Sequence, residues 1–286
     1  MTDITAEKRR LLGLYAKKFC GLDNPANCMQ ASCSCSVAAE FRAFINKTIP
    51  DGFRNFSIRD FHGKTSEGTR LNLQVARAAK EQVFKFCWKD LSLLERLSIL
   101  SEEELNKASI IADRIARGHN VVIHGASPKQ LVNSDGGRTV QESPIGRSFI
   151  ASVITKEAIK LKLDPKFRYL SFEWVQFNPL LQAIKADGEE ATHYESCGWL
   201  VVDDITESML KASPAHKAFA ETLLDSFFTH RLRQKHPTVL VFKFDINARR
   251  SEIEGAFGVA INKIINDRNT CVISLTDPDA IGAREE

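Results

Sequence analysis

Asp203 and Asp204 close a run in which four apolar residues, Trp199-Leu-Val-Val202, pass straight into two acids. Such a run reads as a buried strand, and in an open α/β sheet ligands gather at the carboxyl ends of strands. A carboxylate placed there can hold a magnesium ion, directly or through water, and its neighbour can orient an attacking water. The pair also reads as a strand that turns polar on meeting solvent. A second constellation lies earlier in the chain. A phosphate-binding loop needs a strand, a glycine-rich turn, a lysine, a Ser/Thr for magnesium and a helix. The apolar run NVVIHG supplies a strand ending at Gly125, and Gly146-Arg147-Ser148 stands just before the helical text SFIASVITKEAIKLK.

That loop departs from the standard form twice. Arg147 occupies the lysine position, and the insert 126–145 separates the two glycines. Arginine supplies charge, but its planar fork does not replace a compact ammonium inside a tight loop. The same stretch also reads as an ordinary strand–loop–helix connection.

Cys20, Cys28, Cys33 and Cys35 fall within one segment rich in Gly, Asn, Pro and Ser. Four thiolates suffice for a tetrahedral zinc site, and His62 could replace one of them. The spacing is irregular for a zinc module, so cysteines in a loop are the other reading. Arg231, Arg233, Lys235 and His236 form a basic helix end and Arg249-Arg250 a second basic spot. Such clusters contact nucleic-acid phosphates, although a charged helix terminus also simply favours the helix dipole.

The elements that must position these residues alternate along the chain. After helical text at 37–46, 71–88 and 102–118, strands are expected at 120–125, within 167–175, at 198–203, at 238–242 and at 270–274. Helices are expected between them at 148–162, 177–186, 216–235 and 253–266. Alternation of this kind implies a parallel sheet with helices on both faces, an α/β fold. The 286 residues carry a net charge of +3, with 43% hydrophobic and 26% charged residues. Nucleic-acid contact is permitted by that balance rather than argued by it. No apolar run is long enough to span a membrane and the first residues do not read as a secretory signal, so a cytoplasmic protein with no membrane partner is expected.

In its order of motifs the chain resembles the DnaC/DnaI helicase loaders and the related IstB transposition ATPases. The resemblance runs from about residue 33 to 275 and is carried by Cys33-Ser-Cys35, AAEFRAFINKTIPDGFRNFSIRDF, GHNVVIHG, SFIASVITKEAI, the strand ending in Asp203-Asp204, FFTHRLRQKHPTVLV and GAFGVAINKIIND. It implies a partner-binding, mainly helical region at 1–65 with a cysteine-rich loop, and an AAA+ P-loop core at 66–286. It implies Gly125, Gly146, Arg147 and Ser148 around ATP or ADP with Mg2+, Asp203 and Asp204 as catalytic acids, and Lys263 where an arginine would reach a neighbouring subunit's nucleotide. The implied partners are a replicative ring helicase, single-stranded DNA held through Arg231 and Arg233, and further copies of the chain. Three positions depart from the family pattern: Arg147, Val241-Phe242-Lys243 at the polar sensor position, and Lys263. The expected activity is therefore a weak or altered ATPase in a loader-like protein. The alternatives are an IstB-like target-selection ATPase and a non-hydrolysing adaptor.

Overall fold

Short apolar runs bounded by turns do become strands here. The computed structural model describes residues 4–19, 33–61, 73–125 and 146–276. The strands are β1 (Val121–His124), β2 (Phe172–Gln176), β3 (Trp199–Ile205), β4 (Thr238–Phe242) and β5 (Cys271–Ser274). They form one parallel sheet in the order β2-β3-β4-β1-β5, with Val122 opposite Leu240 and Val272, and Val201 opposite both Trp174 and Val239. β1, β3 and β4 are almost wholly buried, as parallel strands covered on both faces must be.

The helices are α1 (Ile4–Phe19), α2 (Ser34–Thr48), α3 (Leu73–Cys87), α4 (Ser92–Glu95), α5 (Glu102–Ala108), α6 (Ile111–Ala116), α7 (Arg147–Lys160), α8 (Phe177–Ala186), α9 (Glu189–Ser196), α10 (Pro214–Arg233), α11 (Arg250–Phe257) and α12 (Val259–Asn266). Their starts follow the sequence locally. Ser101 and Glu104 exchange side-chain and backbone hydrogen bonds in a capping box before α5, and Ser213 caps α10 with Pro214 in its first turn.

The α/β class and the parallel sheet with helices on both faces are as expected from sequence. Two helical passages are shorter than their periodicity suggested. The 102–118 passage breaks because Ser109 pairs with Trp88 as an isolated antiparallel bridge and Ile110 donates to the Cys87 carbonyl. The 253–266 passage divides at Gly258, where Asp225 Oδ1 accepts from the Ala260 N–H at 2.7 Å and starts a new helix. The helix α9 had no apolar periodicity to announce it and was not expected.

Two large cores lie on the two faces of the sheet. One joins α7, α3 and the odd-facing residues Val121, Ile123, Val201 and Val239; the other joins α8, α10, α11 and α12 to Val122, Val202 and Leu240. The first core also takes Ile45, Ile49, Ile58 and Phe61 from the amino-terminal part of the chain. A small cluster of Leu11, Ala39 and Ala43 holds α1 against α2, supported by the Lys8–Glu40 ion pair at 3.0 Å. The expected boundary near residue 65 lies outside the described residues.

A lysine buried in α7 ties the amino-terminal part to the core. Lys156 Nζ donates to the Phe53 carbonyl at 2.9 Å and also to those of Arg54 and Phe56. Burial pushes its pKa down from 10.5 to about 8. The folded state thus releases this proton more readily than the unfolded chain, so the residue's contribution to stability is fully present above 10.5 and is lost as pH falls through about 8. Lys156→Met leaves the Phe53 and Phe56 carbonyls without this donor, while the Arg54 carbonyl keeps its bond from Arg42 Nη1, and should cost about 1–3 kcal/mol. It should also flatten the rise in stability over that pH window, which urea unfolding across it measures.

Candidate nucleotide site

At the carboxyl end of the sheet the chain brings Gly125, Gly146, Arg147, Ser148, Asp203 and Asp204 together. Gly146 is the residue before α7, with φ +85 and ψ 16, a left-handed conformation that glycine adopts without strain. A Cβ there would also sit 3.1 Å from the Phe61 ring. Gly146 has no side chain to cap this helix start, so among the described residues its first N–H groups and positive dipole end are presented as an anion site. Phe149 in the first turn packs against Phe61 and Phe56, with centroids 5.5 and 5.7 Å away.

Ser148 Oγ donates to Asp203 Oδ1 at 3.1 Å. This links the first turn of α7 to the end of β3 across 55 residues of sequence. The same carboxylate oxygen accepts the Asp204 N–H at 2.8 Å. Asp203 is 8% exposed, and burial raises its pKa above the ordinary value despite these two hydrogen bonds. Serine hydroxyl and carboxylate are hard oxygen donors of the kind that Mg2+ takes alongside phosphates and water.

The acids of the pair do not face alike, because the β3–β4 register shifts between Val202 and Ile205. Asp204 adopts φ +65, uncommon for a residue with a side chain. A bulge of this kind re-aims side chains at a strand end. Asp203 meets Ser148, whereas Asp204 forms an ion pair with Lys243, one residue beyond β4. In sequence Lys243 is a departure from a polar sensor residue; its pairing with Asp204 has no sequence signal, because it depends on the bulge.

Arg147 is buried, 7% exposed, and Nη1 donates to the carbonyl of Gly125. The arginine therefore closes the base of the loop, joining the end of β1 to the start of α7. A Cβ on Gly125 would lie 2.6 Å from the Leu275 carbonyl carbon, so glycine is needed for that close approach. Behind it, His124 is wholly buried with Nδ1 3.4 Å from Asp245 Oδ1, and this contact helps hold the Asp245 carboxyl below its usual range. A histidine at the end of an apolar strand was the available signal for that pair. The insert 126–145 lies outside the described residues.

Two solved structures resemble this fold. DnaI does so at 14% sequence identity and a TM-score of 0.40, covering 81% of this chain and 94% of that one. A protein from Streptococcus pyogenes serotype M3, assigned as a primosome component, does so at 12% identity and a TM-score of 0.39, covering 76% and 93%. No family model matches the chain, and no curated protein matches it in sequence.

The remaining expected site residues are placed apart. Lys263 is exposed on α12, with no ion-pair partner among the described residues. Arg233 is exposed at the end of α10. Arg231 is not at the surface: it is 1% exposed and cannot reach DNA as the sequence suggested. Its Nη1 donates to the carbonyls of Tyr194, Glu195 and Cys197, its Nη2 to that of Pro237 and its Nε to Thr238 Oγ1. Of the four cysteines considered for zinc, Cys20 and Cys28 lie outside the described residues. Cys33 caps α2 by accepting the Ser36 N–H, and Cys35 is buried with its thiol donating to the Tyr15 carbonyl. No group of three metal-ligating side chains occurs among the described residues. No described helix is long and apolar enough to cross a membrane.

Proposed function

We propose that this chain is an AAA+-type, helicase-loader-like protein that binds a magnesium–nucleotide complex and hydrolyses it slowly. The contact between Ser148 and Asp203, at a helix start whose N-cap is Gly146, beside the end of β1, supports this reading most directly. Mg2+ bound there by Ser148 and Asp203 would screen and bridge the nucleotide's phosphate charge. The first N–H groups of α7 would receive a phosphate, and Arg147 would keep the loop's two ends together. Asp204 would orient water poorly while Lys243 holds it, which accounts for a weak ATPase. Lys263, exposed on α12, would meet another copy's nucleotide in an oligomer. In this reading residues 1–65 engage a ring helicase, and the assembled chain positions that helicase on single-stranded DNA.

The ion pair on Asp204 and the arginine turned to Gly125 favour a second reading, a non-hydrolysing adaptor with the same fold. Titration calorimetry with ATP, ADP and magnesium on wild type and Arg147→Ala, with phosphate release from ATP measured on the same proteins, distinguishes them. The variant loses the bond to a buried carbonyl and should be about 1–3 kcal/mol less stable. Its nucleotide binding should disappear at temperatures where it remains folded. No binding by wild type at millimolar nucleotide would leave the adaptor.

A further inference from the structure

The sheet has a concavity at its amino end, opposite Ser148 and Asp203. A groove of about 480 Å³ is lined there by Lys166, Tyr169, Gly198, Lys235, His236 and Pro237, among others. Gly198 and Pro237 directly precede β3 and β4, which fixes the groove at the strands' starts. Among the described residues no Asp or Glu lines it. Tyr169 is 91% exposed, an unusual state for a large ring.

The groove's wall is built with some strain. At the end of α10 the His236 N–H bonds to the Arg231 carbonyl at 2.9 Å and the Lys235 N–H to that of Leu232 at 3.2 Å, which is a Schellman turn. Its left-handed position, normally glycine, is Lys235 at φ +54. The buried Arg231 fixes this turn from beneath by donating to the Pro237 carbonyl at 2.8 Å. The sequence's basic helix end is therefore split, with Arg231 as anchor and Lys235 displayed. Burial, with Arg231 nearby, holds the His236 pKa below its usual value, so the groove's charge at neutral pH rests on the two lysines.

We propose that this groove binds single-stranded nucleic acid, with Tyr169 stacking on a base and Lys166 and Lys235 contacting backbone phosphates. Cations beside an exposed ring are the combination that grips a single strand without reading its sequence. An acidic peptide would use the cations and leave the ring idle. The inference rests on the proposed DNA-handling function for its class of partner, but it uses no residue of the nucleotide site.

The test is fluorescence anisotropy of a labelled oligothymidylate titrated with the full chain, without nucleotide, across a salt series. Tyr169→Ala should weaken binding about ten-fold. Lys235→Gly should weaken it and lower the magnitude of the log–log salt slope by about 0.7. Because glycine relieves the left-handed position, the Lys235→Gly melting temperature should hold or rise, which a merely structural role for this lysine would not accompany with lost binding. Wild-type binding with both variants unchanged overturns the groove and leaves the DNA-handling function intact. No binding by wild type overturns both. Displacement by polyglutamate, with Tyr169→Ala without effect, assigns the groove to an acidic polypeptide and overturns the proposal.

Discussion

Asp203→Asn should lower magnesium–nucleotide affinity about 10- to 100-fold while leaving the protein as stable as wild type at neutral pH, or more so. Asparagine keeps an oxygen that can accept from Ser148 and from the Asp204 N–H, so both hydrogen bonds can survive. What it removes is a buried negative charge. Burial raises the Asp203 pKa in the folded state. Its contribution to stability is therefore favourable below the unfolded value and is lost as pH rises through the folded one, so at neutral pH the ionised carboxylate burdens the fold. The melting temperature of the variant should rise relative to wild type above that window and converge with it below. In wild type, magnesium-dependent binding should fade on acidification at a higher pH than an ordinary carboxylate would allow. Parallel loss of stability and binding in the variant would mean that Asp203 is a structural residue.

Arg231→Met should destabilise the protein by roughly 3 kcal/mol or more. The guanidinium serves the carbonyls of Tyr194, Glu195, Cys197 and Pro237 at once, and methionine fills much of its volume but donates nothing. These carbonyls join the end of α9 and the starts of β3 and β4, so their loss should loosen the sheet's amino end. Urea unfolding measures the effect. Any loss of DNA binding in this variant should follow the unfolded fraction, unlike that of the exposed groove residues. A variant of wild-type stability with weakened DNA binding would restore Arg231 to the surface role its sequence neighbourhood suggested.

The sheet was legible because its strands are apolar runs of the right length ending at punctuation: Gly125 after β1, Asp203-Asp204 in β3, and Pro237 before β4. The elements of the candidate nucleotide site were legible for the same reason, since a strand end and a glycine before a helix are local signals. What each side chain does there was not. Arg147 read as a replacement for a phosphate-binding lysine, whereas its fork turns to the Gly125 carbonyl. The separation of Asp203 from Asp204 depends on a bulge, and bulges leave no periodic trace. Arg231 and Arg233 look equivalent in sequence. Two residues apart on a helix they face different ways, and only tertiary packing decides which is buried.

The central claim, that Ser148 and Asp203 form a magnesium-dependent nucleotide site, is tested most directly by calorimetric titration of ATP with and without magnesium on wild type and Asp203→Asn. The expected result is wild-type binding that requires magnesium and is lost in the variant, with unfolding curves showing the variant intact. Nucleotide binding indifferent to both magnesium and Asp203→Asn, or no binding at millimolar nucleotide, would contradict it.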